Sequence, residues 1–118
     1  MTYETFVKEM LDNFPHLGTD CYGYMDEGDP LPYVAIGCVL IPWLERCLET
    51  QDANNITRAC EFLEVTATEG LSDSRLDDLI GIEIGEWLSG VRERKLLLSY
   101  FGRNTWKACS YHIARLSD

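Results

Sequence analysis

Between residues 73 and 91 the apolar positions Ile80, Ile84, Trp87, Leu88 and Val91 fall at i, i+4, i+7, i+8 and i+11, which stacks them into one face of a helix. Gly81, Gly85 and Ser89 recur every four residues on a second face and form a ridge of small side chains that another helix can approach closely. The third side carries Glu83 and Glu86 one turn apart, while Asp73, Asp77 and Asp78 crowd the first turn near the positive end of the helix dipole. Ser72 or Asp73 opens this helix and Gly90 closes it. The pattern describes a central helix packed on two sides and acidic on the third.

Similar spacings predict helices along the rest of the chain. Thr2 caps a first helix with Phe6, Val7, Met10, Leu11 and Phe14 on its inner face, and Pro15 ends it. Residues 15–31 mix glycines, prolines and acids without periodicity and read as a loop. Pro32 opens the next helix, which continues to Leu48 with Pro42 inside it; that proline implies either a kink or two helices meeting near Ile41. The uncharged run from Tyr33 to Leu44 marks the most buried part of the fold. Asp52 caps a helix with Ile56, Ala59, Phe62, Leu63 and Thr66 inward and Gly70 after its end. Residues 91–101 form a shorter helix with Leu96, Leu97, Tyr100 and Phe101 inward, stopped by Gly102. Asn104 caps the last, whose apolar positions are Trp106, Cys109, Ile113 and Leu116.

No stretch alternates as a strand does, so the fold is all-α, with five to seven helices in a single domain over 1–118. Helix starts near Asp52 and Ser72 lie 20 residues apart, and Trp43-Leu44 recurs as Trp87-Leu88 after 44 residues. A helix pair every ~40 residues is the period of armadillo and HEAT repeats. The expected architecture is a short armadillo/HEAT-like stack, with an irregular helical bundle as the alternative.

Charge alters this picture by giving the protein a polarity. The chain holds 10 basic and 20 acidic residues, a net charge of -10. Residues 1–91 carry a balance of -14 and residues 92–118 a balance of +4. Between Glu61 and Glu86 eight carboxylates face only Arg75. Such a field repels nucleic acid and attracts basic proteins. The N-terminus is charged where a signal peptide is apolar, and no apolar run is long enough for a membrane span, so a cytoplasmic protein is expected, with no membrane partner. Five widely spaced cysteines without a C-x-x-C pair read as reduced and mostly buried.

Candidate catalytic chemistry is thin. His16 lies next to Pro15 and His112 on the last helix, and neither stands at a spacing that ties it to a nucleophile. Neither zinc spacing nor a phosphate-binding glycine turn is present. Asp26, Glu27 and Asp29 do not follow the calcium-loop pattern. Glu83 with Glu86 is the best acid pair, but the helical dimetal pattern needs a Glu-x-x-His, and position 86 is Glu. The expectation is a binding protein, not an enzyme, with no metal and no cofactor.

The DDLIGIEIGEWL segment, with its E-x-x-E-W-L pattern from Glu83 to Leu88, and YFG at Tyr100 to Gly102 carry a resemblance over roughly residues 31–110. In these the chain resembles small acidic all-helical bacterial proteins of a loosely defined family that overlaps with immunity proteins of toxin delivery systems, including contact-dependent growth inhibition. The resemblance implies a cognate basic toxin domain, often a nuclease, that the carboxylates occlude. The expected contact residues are Asp73, Asp77, Glu83 and Glu86, with Glu61 and Glu64 as a second layer and Tyr22 and Tyr24 as aromatic anchors. The competing expectations are a helical-repeat adaptor for a basic protein or peptide, and a self-associating structural protein.

Overall fold

Proline, glycine and capping carboxylates set most of the helix ends. The computed structural model describes residues 1–23 and 31–117. Helix α1 (Phe6–Asn13) stops just ahead of Pro15, and its N-cap position is Thr5, not Thr2; Thr2 instead closes the preceding turn, its carbonyl accepting from Thr5 N–H at 3.1 Å. Pro15 then starts a second helix, α2 (residues 15–22), where a loop was expected, because Leu17 and Cys21 bury one side of it. The chain continues through α3 (residues 32–49), α4 (Ala53–Glu69), α5 (residues 74–90), α6 (Arg94–Tyr100), α7 (Arg103–Ala108) and α8 (Ser110–Ile113). The fold is all-α: the described residues form eight helices and no strand. The count exceeds the expected range because α2 occupies part of the expected loop and the last helix breaks at Cys109.

Pro42 does not split α3. A proline lacks an N–H and crowds the carbonyl one turn back. Here the preceding turn, Ala35–Leu40, widens to a π-helical one, with Ile41 N–H donating to Ile36 O five residues earlier. Helix α5 contains the same device at Ile80–Ile84, where Gly85 N–H donates to Ile80 O. The two wide turns occupy matching places in a repeat that exceeds the Trp-Leu echo: Ile36-Gly37, Leu40 and Trp43-Leu44 correspond to Ile80-Gly81, Ile84 and Trp87-Leu88, 44 residues on. In each helix a row at strict four-residue spacing is buried: Ile36, Leu40, Leu44, Leu48 and Leu76, Ile80, Ile84, Leu88 are all at most 1% exposed.

Helix α4 runs through the middle and packs against α3, α5, α6 and α7. At one end of the core Phe62 from α4 meets Phe6 and Phe14, the latter edge-on with ring centres 5.5 Å apart, and Phe14 in turn meets Trp43 of α3 at 5.1 Å. The repeat does not open into a superhelix: the radius of gyration is 13.4 Å, against ~13.5 Å for a compact chain of this length. Four of the five cysteines are buried and free, and Cys38 is exposed. No described helix is long and apolar enough to cross a membrane.

The small-residue ridge of α5 receives the C-terminal helices. A Cβ on Gly81 would stand 2.9 Å from the Ala108 carbonyl oxygen, and one on Gly85 would stand 2.5 Å from the His112 ring. Ser89 is exposed and takes no part. Thr105 and Cys109 are the buried residues of this C-terminal pair, whereas Trp106, expected inward, is 44% exposed and Leu96 of α6 lies at the surface too. Trp106 follows buried Thr105 and so lies ~100° round the helix from it, while Cys109, Ile113 and Leu116 face the core as expected.

Replacing Gly81 with alanine should lower the melting temperature, costing about 1–3 kcal/mol because backbone must move, although alanine favours helix by ~1 kcal/mol. A Cβ on Gly90 would meet nothing within 4 Å, so Gly90→Ala should leave the melting temperature unchanged or raise it. Equal behaviour of the two variants in thermal melts would contradict this packing.

Candidate functional site

The eight carboxylates between Glu61 and Glu86 look alike in the sequence, but the fold gives them different tasks. Asp73 is the N-cap of α5: one oxygen accepts from Arg75 N–H at 3.1 Å and the other from Tyr3 N–H at 3.1 Å, pinning the N-terminal segment to the helix start. The Tyr3 amide, against a smaller burial effect, holds its carboxyl below the usual range, with help from Arg75. Arg75 itself is hydrogen-bonded to Glu4 and lies 5.0 Å over the Tyr3 ring. Asp73 is thus committed within the chain.

Glu64, expected as a second-layer contact residue, is committed as well and half-buried. Its carboxylate abuts Gly102 and caps α7 from the side: Thr105 N–H and Oγ1–H donate to Oε1 at 2.8 and 2.9 Å, and Asn104 N–H donates to Oε2 at 3.1 Å. Burial pushes this carboxyl up, but the amide and hydroxyl donors pull harder and the net direction is down. The last helix was expected to be capped by Asn104; Gly102 holds the N-cap position, has no side chain, and Glu64 substitutes.

The remaining acids divide between faces. Glu61 is exposed on the α1 side of α4, in a cleft with Phe14 and Phe62. Asp77 is exposed on the α7 side of α5, lining a polar cleft of about 330 Å³ with Asn104 and Lys107. Asp78, Ile82 and Glu86 form an exposed row at four-residue spacing along the outer edge of α5. Beside that row sits Glu83, half-buried, its carboxylate against Gly37 of α3, where a Cβ would stand 2.9 Å from Oε2. Burial pushes Glu83 above the usual carboxylate range, and the Glu86 charge adds to it. Burial pushes the Tyr33 phenol up, and Tyr3, 6.4 Å away ring to ring, and the charges of Asp78 and Glu83 add to it. Tyr22 stands 64% exposed at the end of α2, which packs on the wide turn of α3. Tyr24, like Asp26, Glu27 and Asp29, lies outside the described residues.

Asp78, Ile82 and Tyr33 are not among the contact residues expected from the sequence. The signal for the first two was there, since 78, 82 and 86 share a face at i, i+4 and i+8. Tyr33 carries no such signal, because only the packing of α3 on α5 brings it there. Among the described residues no three His, Cys, Asp or Glu side chains are grouped to hold a metal. His112 lies over Gly85 with its ring 5.2 Å from that of Tyr111, and His16 lies 5.0 Å from the Trp43 ring; among the described residues neither imidazole is hydrogen-bonded to an acid, serine or cysteine side chain.

Residues 7–114 match a family described as a domain of unknown function, DUF7674. The chain belongs to that family. No curated protein and no solved structure matches it. The surface of this DUF7674 chain offers a row of acids around an exposed isoleucine and one carboxylate that is partly stripped of water.

Glu64 and Glu83 should titrate with opposite sign. Glu64→Ala should cost about 1–2 kcal/mol at neutral pH. Because the folded pKa of Glu64 is lowered, that stability is present above the ordinary carboxylate value and should vanish as pH falls through the folded one. Glu83 is raised, so its charged form penalises the fold above its folded pKa. Glu83→Gln should therefore leave stability equal or higher at neutral pH, with any gain gone below the ordinary carboxylate value. Thermal melts across acid pH check both, and the same sign for the two variants would refute the assignment.

Proposed function

We propose that the protein is a non-catalytic binding protein that holds a basic partner protein against the Asp78, Ile82, Glu83 and Glu86 face of α5. The observation that carries this reading is Glu83. It is half-buried, pushed up by burial, and forms no ion pair among the described residues. A lysine or arginine brought beside it restores the interaction that water no longer supplies, and charge pairs gain most where they are desolvated. Ile82, 42% exposed between two carboxylates, gives the same face an apolar contact to bury. The rest of the acidic surface, including Asp77 and Glu61, steers a basic protein toward the chain from a distance.

The more specific form of the proposal is an immunity protein whose partner is a toxin domain with a basic, nucleic-acid-binding face. The resemblance noted in DDLIGIEIGEWL supports it, since that segment contains the whole of this face. Carboxylates spaced along one helix edge offer such a toxin the negative charge it otherwise finds in phosphates.

Capture of partners from the native lysate, at low salt and at ~0.5 M salt where surface charges are screened, tests the reading. One basic protein should survive the salt on the wild type and be lost from a variant carrying Glu83→Lys and Glu86→Lys. Retention of that protein by the variant would refute the α5 face. Many basic proteins lost together on adding salt would refute a specific partner altogether.

A further inference from the structure

A cleft of about 260 Å³ opens between α1 and α4, on elements that do not include the α5 face. Its floor is apolar: Phe14 and Phe62 are buried rings, and Val65 beside them is 53% exposed. Its walls carry two carboxylates, half-buried Glu9 and exposed Glu61, and among the described residues neither has an ion-pair partner. Arg58 and Met1 line the cleft as well; the Arg58 guanidinium lies 5.2 Å over the Phe14 ring and donates to Asn13 O at 2.8 Å and to Asn55 Oδ1 at 3.2 Å, keeping its charge.

We propose that this cleft receives one lysine or arginine side chain from a partner protein. The aliphatic stem of such a residue lies on Phe62 and Val65, and its charged head reaches Glu9 and Glu61 at the walls. Each alternative occupant fits less well. An anionic side chain meets two carboxylates against one guanidinium whose hydrogen bonds go to Asn13 and Asn55, and an uncharged apolar one covers Glu9 without supplying it a donor. Arg58 shows that the aromatic floor accepts a guanidinium, since the chain already places its own there. The volume suits one long side chain and is too small for a folded element. The proposal rests on the reading that the partner is basic, and adds a second point of attachment on the α1 side of α4. A partner engaging this cleft and the α5 face together gains avidity that neither contact has alone.

The test is an amide-resolved NMR titration of the full chain with Nα-acetyl-lysine methylamide, and in parallel with the norleucine analogue, which keeps the stem and lacks the charge. The lysine compound should shift the amides of Glu9, Glu61 and Val65 saturably, and the norleucine compound should shift them far less. In a Glu9→Gln, Glu61→Gln variant whose spectrum retains the native dispersion, affinity should fall about fivefold, as for two partly exposed charge pairs. Equal shifts from both compounds, or an unchanged affinity in the variant, would overturn the proposal. Lysine-induced shifts confined to residues 78–86 would overturn it while leaving the α5 reading intact; saturable cleft shifts with a partner that tolerates charge reversal on α5 would do the opposite.

Discussion

Gly102 brings no side chain to the start of α7, so the free N–H groups of that helix must be met from elsewhere, and Glu64 meets them from the middle of α4. A carboxylate at a helix N-terminus answers both the unpaired amides and the dipole. It also fixes where α7 sits relative to the helix that most of the fold packs against. With α7 placed, α8 follows, and His112 and Ala108 come to rest on the glycines of α5. The two-sided packing of α5 therefore depends on an interaction that does not involve α5. Its acidic edge stays exposed among the described residues.

Charge in this protein is abundant but unevenly employed. Asp73 and Glu64 are drawn into caps that stabilise the ionised form, and neither has much left to offer a partner. Asp78 and Glu86 stay in water, where a single ion pair is worth little. Glu83 lies between these cases, close enough to α3 to lose water and, among the described residues, without a donor to compensate. A group in that condition makes a small fold slightly less stable and gains from a cation brought beside it, which is the balance the proposed contact requires.

The all-helical class, the ends of α4 and the α5 ridge of small residues were legible because each rests on local spacing or a single capping residue. Asp52 caps α4 as its type and position imply, its Oδ1 accepting from Asn55 N–H. What was not legible came from distant contacts. Nothing near Glu64 in the sequence announces that Asn104 and Thr105 donate to it across 40 residues. Helix α2 was hidden for a different reason: Pro15, Gly18 and a short length outweigh two buried residues, Leu17 and Cys21, that only tertiary packing rewards. The acidic stretch was legible as charge, and its division into caps, wedge and outer row was not.

The wide turns explain a feature of the apolar pattern that ordinary helix geometry forbids. A residue advances an α-helix by ~100°, so positions four apart drift by ~40° at each step, and a row of four such positions turns ~120° around the axis. Ile36, Leu40, Leu44 and Leu48 nonetheless stay in the core together, as do Leu76, Ile80, Ile84 and Leu88. One π-helical turn absorbs about one residue, or ~100°, and reduces the drift across either row to ~20°. The wide turn is in this sense a phase correction, and an unbroken four-residue apolar row is its signature in the sequence.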